Sequence, residues 1–258
     1  MNTLKNWEVR GSGEGKNALV LLHGFLFDKN VWGVFAEELA QQYTVILFDL
    51  PGHGVALPFK ENETFEDFAQ VIKHIMSLLG FDRFTLVGHS MGGYAALACA
   101  AVFPDSVNAV ILINSTVFAD SNERKEQRLR TIEILREQAN RFYAAFIPSL
   151  FLEPSNPAIA ALLAQASHNN IPGIISAVEV MRNRKEYTDT LRNSVIPLLF
   201  YAGKHDKIIL PEQNTLIRHA LPNAEIVFSD KSAHMSFLED PINCIRSIQT
   251  LLKRIQSS

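Results

Sequence analysis

Cysteine is scarce in this chain. Its 258 residues include 2, Cys99 and Cys244, too few for a disulfide framework, so two free thiols in a reducing compartment are expected. A basic excess is also missing. Against 24 Lys+Arg stand 27 Asp+Glu, a formal net charge of −3, which excludes the electrostatic footprint of a nucleic-acid binder. No apolar run is long: residues 94–103 form the longest, about half of what a bilayer span needs, so no membrane span is expected. The first ten residues lack the apolar stretch of a signal peptide, and a cytoplasmic location is expected. Disorder is excluded in turn by 47% hydrophobic and only 20% charged residues. What remains is a globular chain long enough for one large domain, or for a domain carrying an insertion.

Short branched-aliphatic runs alternate with helical periodicity. Residues 18–22, 44–48, 83–87, 109–113, 197–201 and 225–228 read as strands, and their near-continuous apolar character suits strands covered on both faces. Residues 31–41, 64–79, 91–103, 211–221 and 241–255 carry apolar residues at helical spacing. Thr64 with Asp67 reads as an N-cap, and Pro211 and Pro241 suit helix starts. The alternation predicts a doubly wound, mostly parallel α/β sheet. Residues 7–10 add an antiparallel edge strand through a turn at 11–15. One interval breaks the rhythm. From 117 to 192 no strand is predicted, residues 123–139 read as a charged helix, and Pro148, Pro154, Pro157 and Pro172 divide the remainder into short pieces. Such a stretch is too long for an ordinary crossover. It reads as a helical cap inserted into a core formed by residues 1–116 and 193–258.

The chemistry concentrates at Gly88-His89-Ser90-Met91-Gly92, which follows a predicted strand and opens a predicted helix. This is the G-x-S-x-G pattern in the context it requires. A serine on so sharp a bend is exposed at the carboxyl edge of the sheet, where ligand sites of α/β proteins form. Serine at its free pKa is a weak nucleophile and needs a base, itself oriented by an acid. Asp206 follows the strand at 197–201 and His234 follows that at 225–228. The chain order Ser90, Asp206, His234 agrees with the strand–helix arrangement. His205 is the competing base and Asp230 the competing acid, while Asn114, at a strand end, is an amide and cannot serve as the acid. Two backbone donors would complete an oxyanion hole, the N–H of Met91 and, from His23-Gly24-Phe25, that of Phe25.

These landmarks, with Trp32, the run Asp49-Leu50-Pro51-Gly52-His53-Gly54 and Ala233-His234, resemble α/β-hydrolase-fold proteins of the serine carboxylesterase-like group. The likeness runs from residue 23 to 234. It implies an α/β-hydrolase core whose cap follows the family's sixth strand, a serine hydrolase acting on a small or medium carboxylic ester through an acyl-enzyme, and no metal or organic cofactor. Carbon–carbon bond hydrolysis, acyl transfer and lyase chemistry use the same three residues, and a ligand receptor that keeps them is a further alternative. The loop at 49–54 reads as structural. Relatives that are haloalkane dehalogenases or epoxide hydrolases carry Asp where Ser90 stands.

Substrate choice is expected to lie in the cap. Phe25, Tyr94, Phe118, Tyr143, Phe146 and Met181 are the candidate pocket residues. Arg124, Lys125, Arg128, Arg130, Arg136 and Arg141 make the first cap helix basic. They read either as a site for an acidic substrate or carrier, or as a solvated face paired with Glu123, Glu126, Glu133 and Glu137, and the interleaving favours the solvated face.

Overall fold

The computed structural model describes residues 6–11 and 18–256. Among these, seven strands form one sheet: β1 (Trp7–Arg10), β2 (Ala18–Leu22), β3 (Thr44–Phe48), β4 (Phe84–His89), β5 (Val107–Ile113), β6 (Leu198–Gly203) and β7 (Glu225–Ser229). Their spatial order is β1-β3-β2-β4-β5-β6-β7. β1 runs antiparallel to β3, with Trp7 opposite Phe48, and every other neighbouring pair is parallel. Every residue of β2, β3, β4 and β6 is buried, which is why these strands are written in unbroken apolar runs rather than alternating ones. Of the turn expected at 11–15, Gly11 has the left-handed φ of 75°, and residues 12–17 lie outside the described residues.

The helices in chain order are α1 (Gly33–Ala40), α2 (Phe65–Leu78), α3 (Met91–Val102), α4 (Asn122–Ser149), α5 (Ala158–Ala166), α6 (Ile171–Asn183), α7 (Thr188–Arg192), α8 (Pro211–Ala220), α9 (Ser236–Glu239) and α10 (Pro241–Gln256). Thr64 caps α2 through the reciprocal bonds of a capping box, its N–H donating to Asp67 Oδ2 at 2.8 Å. Helix α3 is buried from Met91 through Ala100. Its alanines let it lie close against the sheet, where bulkier residues would force the layers apart. Cys99 in α3 and Cys244 in α10 are buried free thiols, and burial pushes the Cys99 pKa up to about 12.

Two differences from the predicted elements matter for the site. β4 continues through Gly88 and His89, which pair with Leu112 and Ile113 of β5, so the strand reaches the bend itself. In the interval after β5, the helix predicted over 123–139 does break near its expected end, at Gln138 (φ −145°, ψ 45°). The chain then resumes helical geometry to Ser149, and Pro148 is accommodated in the last turn rather than ending the helix. Helices α4 to α7 fill this interval between β5 and β6. Five strands precede it among the described residues, one fewer than the family count.

Candidate active site

At the bend between β4 and α3, Ser90 has φ 50° and ψ −112°, a strained backbone for a residue with a Cβ. The strain is held by packing on all sides. A Cβ on Gly88 would lie 2.5 Å from the Gly92 carbonyl oxygen, and one on Gly92 would collide with the Leu22 carbonyl oxygen of β2. Glycine at both positions lets strand, helix and neighbouring strand meet at van der Waals distance. The Ser90 N–H donates to the Ile113 carbonyl at 3.0 Å, and Ser115 Oγ donates to the Ser90 carbonyl at 2.8 Å. The Ser90 hydroxyl makes no capping bond to α3 and is aimed elsewhere.

It is aimed at a histidine 144 positions away. His234 Nε2 lies 2.9 Å from Ser90 Oγ, and His234 Nδ1 lies 2.8 Å from Asp206 Oδ2. An ionised carboxylate only accepts, so Nδ1 carries the proton and Nε2 is the free acceptor for the serine O–H. The loop after β6 brings Asp206 and the loop after β7 brings His234. Because β4, β5, β6 and β7 are parallel neighbours, all these loops emerge at one edge of the sheet.

Asp206 is buried. Burial alone would raise its pKa, but the adjacent His234, by charge and hydrogen bond, and the N–H groups of Ile209 and Ile208 outweigh it and hold the carboxyl below its ordinary value. Oδ1 accepts from Ile208 and Ile209 N–H at 2.8 and 3.0 Å. Oδ2 accepts a further bond from Asn114 Nδ2 at 2.9 Å. Asn114, in the left-handed region at φ 48°, also donates to the Ala233 carbonyl at 2.9 Å, so one amide ties the Asp206 loop to the His234 loop. In the sequence Asn114 reads only as a side chain that cannot be the acid. Its position at a strand end was the available signal for this positioning role. Replacing Asn114 by alanine is expected to lower kcat by about 10-fold or more, since a hydrogen bond to a charged acceptor is worth about 1.5–3 kcal/mol. The acidic limb of the pH–rate profile should move up as Asp206 loses that donor, and steady-state kinetics with circular dichroism as a folding control checks both.

The competing residues fall away from the site. His205 is exposed, with Nε2 3.2 Å from the Asp230 carbonyl oxygen, and Asp230 pairs with Lys204 at the surface. The loop at 49–54 acts as scaffold: buried Asp49 accepts from the Lys29 ammonium at 2.7 Å and from the backbone N–H of Val55 at 3.2 Å. The turn at residues 23–27 lies against the bend, since a Cβ on Gly24 would meet His89 Nδ1 at 2.5 Å and Ser90 Cβ at 3.5 Å. The Met91 N–H, first in α3, is one of the donors that helix geometry leaves without an intrahelical acceptor.

The interval between β5 and β6 closes over this edge. The His234 N–H donates to the Leu150 carbonyl at the end of α4 (2.9 Å), and Glu239 accepts from Leu152 N–H (2.6 Å) and Ala233 N–H (2.9 Å). A chamber of about 30 Å³ remains above Ser90 and His234. This is room for water and too little for an acyl chain in this conformation. Of the candidate pocket residues, Phe25, Tyr94, Phe146 and Met181 line the chamber. Phe118 and Tyr143 do not. Phe118 faces a separate outer cavity of about 460 Å³. Tyr143 is buried among the helices, one step round α4 from the Phe142–Phe146 stack. Phe27, His89, Leu150 and Ile208 line the chamber although the sequence does not single them out for it, and so do Arg124 and Arg128, for which the sequence favours a solvated face over a site for an acidic substrate. The expected solvated face does not include these two arginines. Among the described residues, no Glu of α4 lies within salt-bridge distance of an α4 cation, and the one ion pair that α4 makes is Arg128 Nε to Asp120 Oδ2 at 3.0 Å. A larger groove of about 680 Å³ runs between the loop at 59–66 and α6, away from Ser90. Among the described residues no group of three or more His, Cys, Asp or Glu side chains is arranged to hold a metal ion, and no helix is long and apolar enough to cross a membrane.

Comparison with known proteins places this geometry in context. The profile of the alpha/beta hydrolase fold family matches residues 17–153. A pimeloyl-[acyl-carrier protein] methyl ester esterase from Nitrosospira multiformis is 27% identical over 254 residues, covering 93% of this chain and 95% of that protein. A thermophilic esterase from Thermogutta terrifontis, solved with malate bound, superposes with a TM-score of 0.85 at 29% identity, over 96% of this chain and 93% of that one. A fluoroacetate dehalogenase from a Burkholderia species is 40% identical over 114 residues, 42% of this chain and 36% of the relative.

Proposed function

From the premise that the chain belongs to the alpha/beta hydrolase fold family, we propose that it is a carboxylic ester hydrolase that works through an acyl-Ser90 intermediate. The observation that carries this reading is the continuous hydrogen-bonded line from Ser90 Oγ through His234 to Asp206, 2.9 and 2.8 Å in its two links. Ser90 Oγ attacks the ester carbonyl carbon as its proton passes to His234 Nε2. The oxygen of the tetrahedral intermediate is held by the N–H groups of Met91 and Phe25. His234 then protonates the departing alkoxide. Water, deprotonated by His234, attacks the acyl-enzyme and releases the carboxylic acid, and the proton returns to Ser90. Asp206 holds the imidazole in the tautomer that accepts from serine and stabilises the imidazolium. In this proposal helices α4 to α7 act as a cap that excludes water during acyl transfer, and the protein is cytoplasmic.

Dehalogenation is disfavoured by the residue at the bend. Displacing a halide there requires a carboxylate, whose alkyl ester water can later cleave, whereas a serine alkyl ether has no carbonyl to attack. Ser90 is suited to acyl groups.

The test is covalent. A fluorophosphonate is expected to label one residue, identified as Ser90 by peptide mass spectrometry, and 4-nitrophenyl acetate and butyrate are expected to turn over catalytically. Labelling elsewhere, or a single turnover without further product, would overturn the enzymatic reading and favour the receptor alternative.

A further inference from the structure

Three guanidinium groups cluster beside the Ser90 chamber with one carboxylate among them: Arg124 and Arg128 line the chamber, and Arg184 and Asp120 line the outer cavity. Buried Asp120 accepts from Arg184 at 2.6 Å and from Arg128 at 3.0 Å. Arg184 is otherwise satisfied, donating to the Met181 and Phe118 carbonyls and lying 4.0 Å from the Tyr94 ring centroid. Arg124 has no carboxylate partner among the described residues. Its side chain donates to Gln127 Oε1 at 2.9 Å. Glu123 and Lys207, both at the outer cavity, offset one another in charge. The cluster therefore carries more positive charge than its own acids neutralise.

Asp120 holds Arg128 and Arg184 in place, but the helix itself disfavours Arg124 where it stands. Arg124 stands in the first turn of α4, which is capped by Ser121, where the helix dipole disfavours a cation. Arg128 is four residues on, the spacing at which like charges repel. Burial, with Arg128 close by, draws the Arg124 pKa below the ordinary arginine value, yet a guanidinium stays protonated in proteins. An arrangement that is unfavourable in the unliganded protein becomes favourable when an anion fills it.

The location says which anion. Arg124, Tyr94 and Ile208 line both the chamber on Ser90 and the outer cavity of about 460 Å³. Arg124 thus stands on the wall the two share, and Arg128 lines the inner chamber alone. An ester held at Ser90 would extend its far end toward this wall, and a guanidinium fork matches a planar carboxylate in a bidentate pair.

We propose that Arg124 and Arg128 select esters that carry a second, ionised carboxyl group, such as half-esters of dicarboxylic acids. This rests on the proposed hydrolysis at Ser90. The other cations of α4, among them exposed Arg130, take no part.

The test compares mono-4-nitrophenyl adipate with 4-nitrophenyl hexanoate, equal in acyl length and different in the terminal carboxylate. The wild-type protein is expected to favour the adipate half-ester in kcat/KM by about tenfold or more, the range of a charge-assisted pair. High salt should shrink this preference. Arg124→Gln should cut the ratio about tenfold and Arg124→Lys by less, whereas Arg130→Gln should leave it unchanged. Independently of any variant, free adipate should slow fluorophosphonate labelling of the wild-type Ser90 where adipamide does not. A wild-type ratio at or below one without protection by adipate overturns the selectivity while leaving the hydrolase reading intact, as does a ratio unchanged in folded Arg124→Gln. No labelling of Ser90 and no turnover of either ester overturns the hydrolase reading itself.

Discussion

With Ser90 replaced by alanine, kcat for a 4-nitrophenyl ester falls by about 10⁵-fold, the scale of loss when one member of a serine–histidine unit is deleted. That is about 7 kcal/mol of transition-state stabilisation. The effect is this large because nothing else near the chamber can replace the hydroxyl. His89 Nε2 is committed to the His234 carbonyl at 2.8 Å, and Ser115 Oγ is spent on the Ser90 carbonyl. Stability should hardly change, because Ser90 Oγ caps no helix and alanine tolerates the bend no worse than serine. His234→Ala is expected to lose a similar factor, and the double variant no more than either single one, because the pair acts as a unit. Steady-state kinetics with melting curves checks this, and an S90A protein within tenfold of wild type would end the proposal of an acyl-serine.

Acidification from pH 7 to pH 5 destabilises the protein at a rate approaching about 4 kcal/mol per pH unit, with three buried histidines as the cause. Burial lowers the pKa of His23 to about 4 and those of His53 and His89 to about 3. Neighbouring imidazoles add to this, His23 beside His53 and His234 beside His89. The hydrogen bonds agree. His23 Nε2 accepts from Leu50 N–H at 2.9 Å and His53 Nε2 from Leu26 N–H at 3.2 Å. A proton on either nitrogen would set donor against donor. Between these folded values and the ordinary 6.5, the unfolded chain binds protons that the native one does not. The histidine contribution is therefore complete above about pH 6.5 and is lost as pH falls, each site giving about 1.4 kcal/mol per unit. Set against a total stability of about 5–15 kcal/mol, this brings unfolding within reach of mild acid. Asp206, held below its ordinary value, loses its contribution only at lower pH, as the carboxyl protonates. Urea midpoints at pH 7, 6 and 5 are the measurement, and His53→Gln should remove about a third of the slope. A flat midpoint over this range would contradict the burial argument.

Much of the site was readable in one dimension because its parts are local. A strand, a glycine-flanked serine and a helix are adjacent in the chain, and the backbone strain at Ser90 is set by those few residues. Asp206 and His234 were readable because each follows its own parallel strand, and parallel strands deliver their loops to one edge. Asp230 stands apart from Asp206 in the sequence because it precedes His234 by only four residues, but only the hydrogen bonds show His205 turned outward to the Asp230 carbonyl.

The chamber was less legible. Phe146 and Tyr143 are both aromatic and three residues apart, yet Phe146 meets Phe25 while Tyr143 is buried among the helices. Arg124 and Arg128 sit in a run of alternating charges that reads as a solvated face, and they point inward instead. The primary structure by itself determined the layered α/β core, the strained serine and the loops that carry its partners, because periodicity and sharp turns are encoded by near neighbours. Which side of α4 faces Ser90, and hence which charges meet a substrate, was decided only in three dimensions. A helix carries several faces at once, and the choice among them comes from the packing of distant elements such as the Leu150 and Glu239 contacts with the His234 loop.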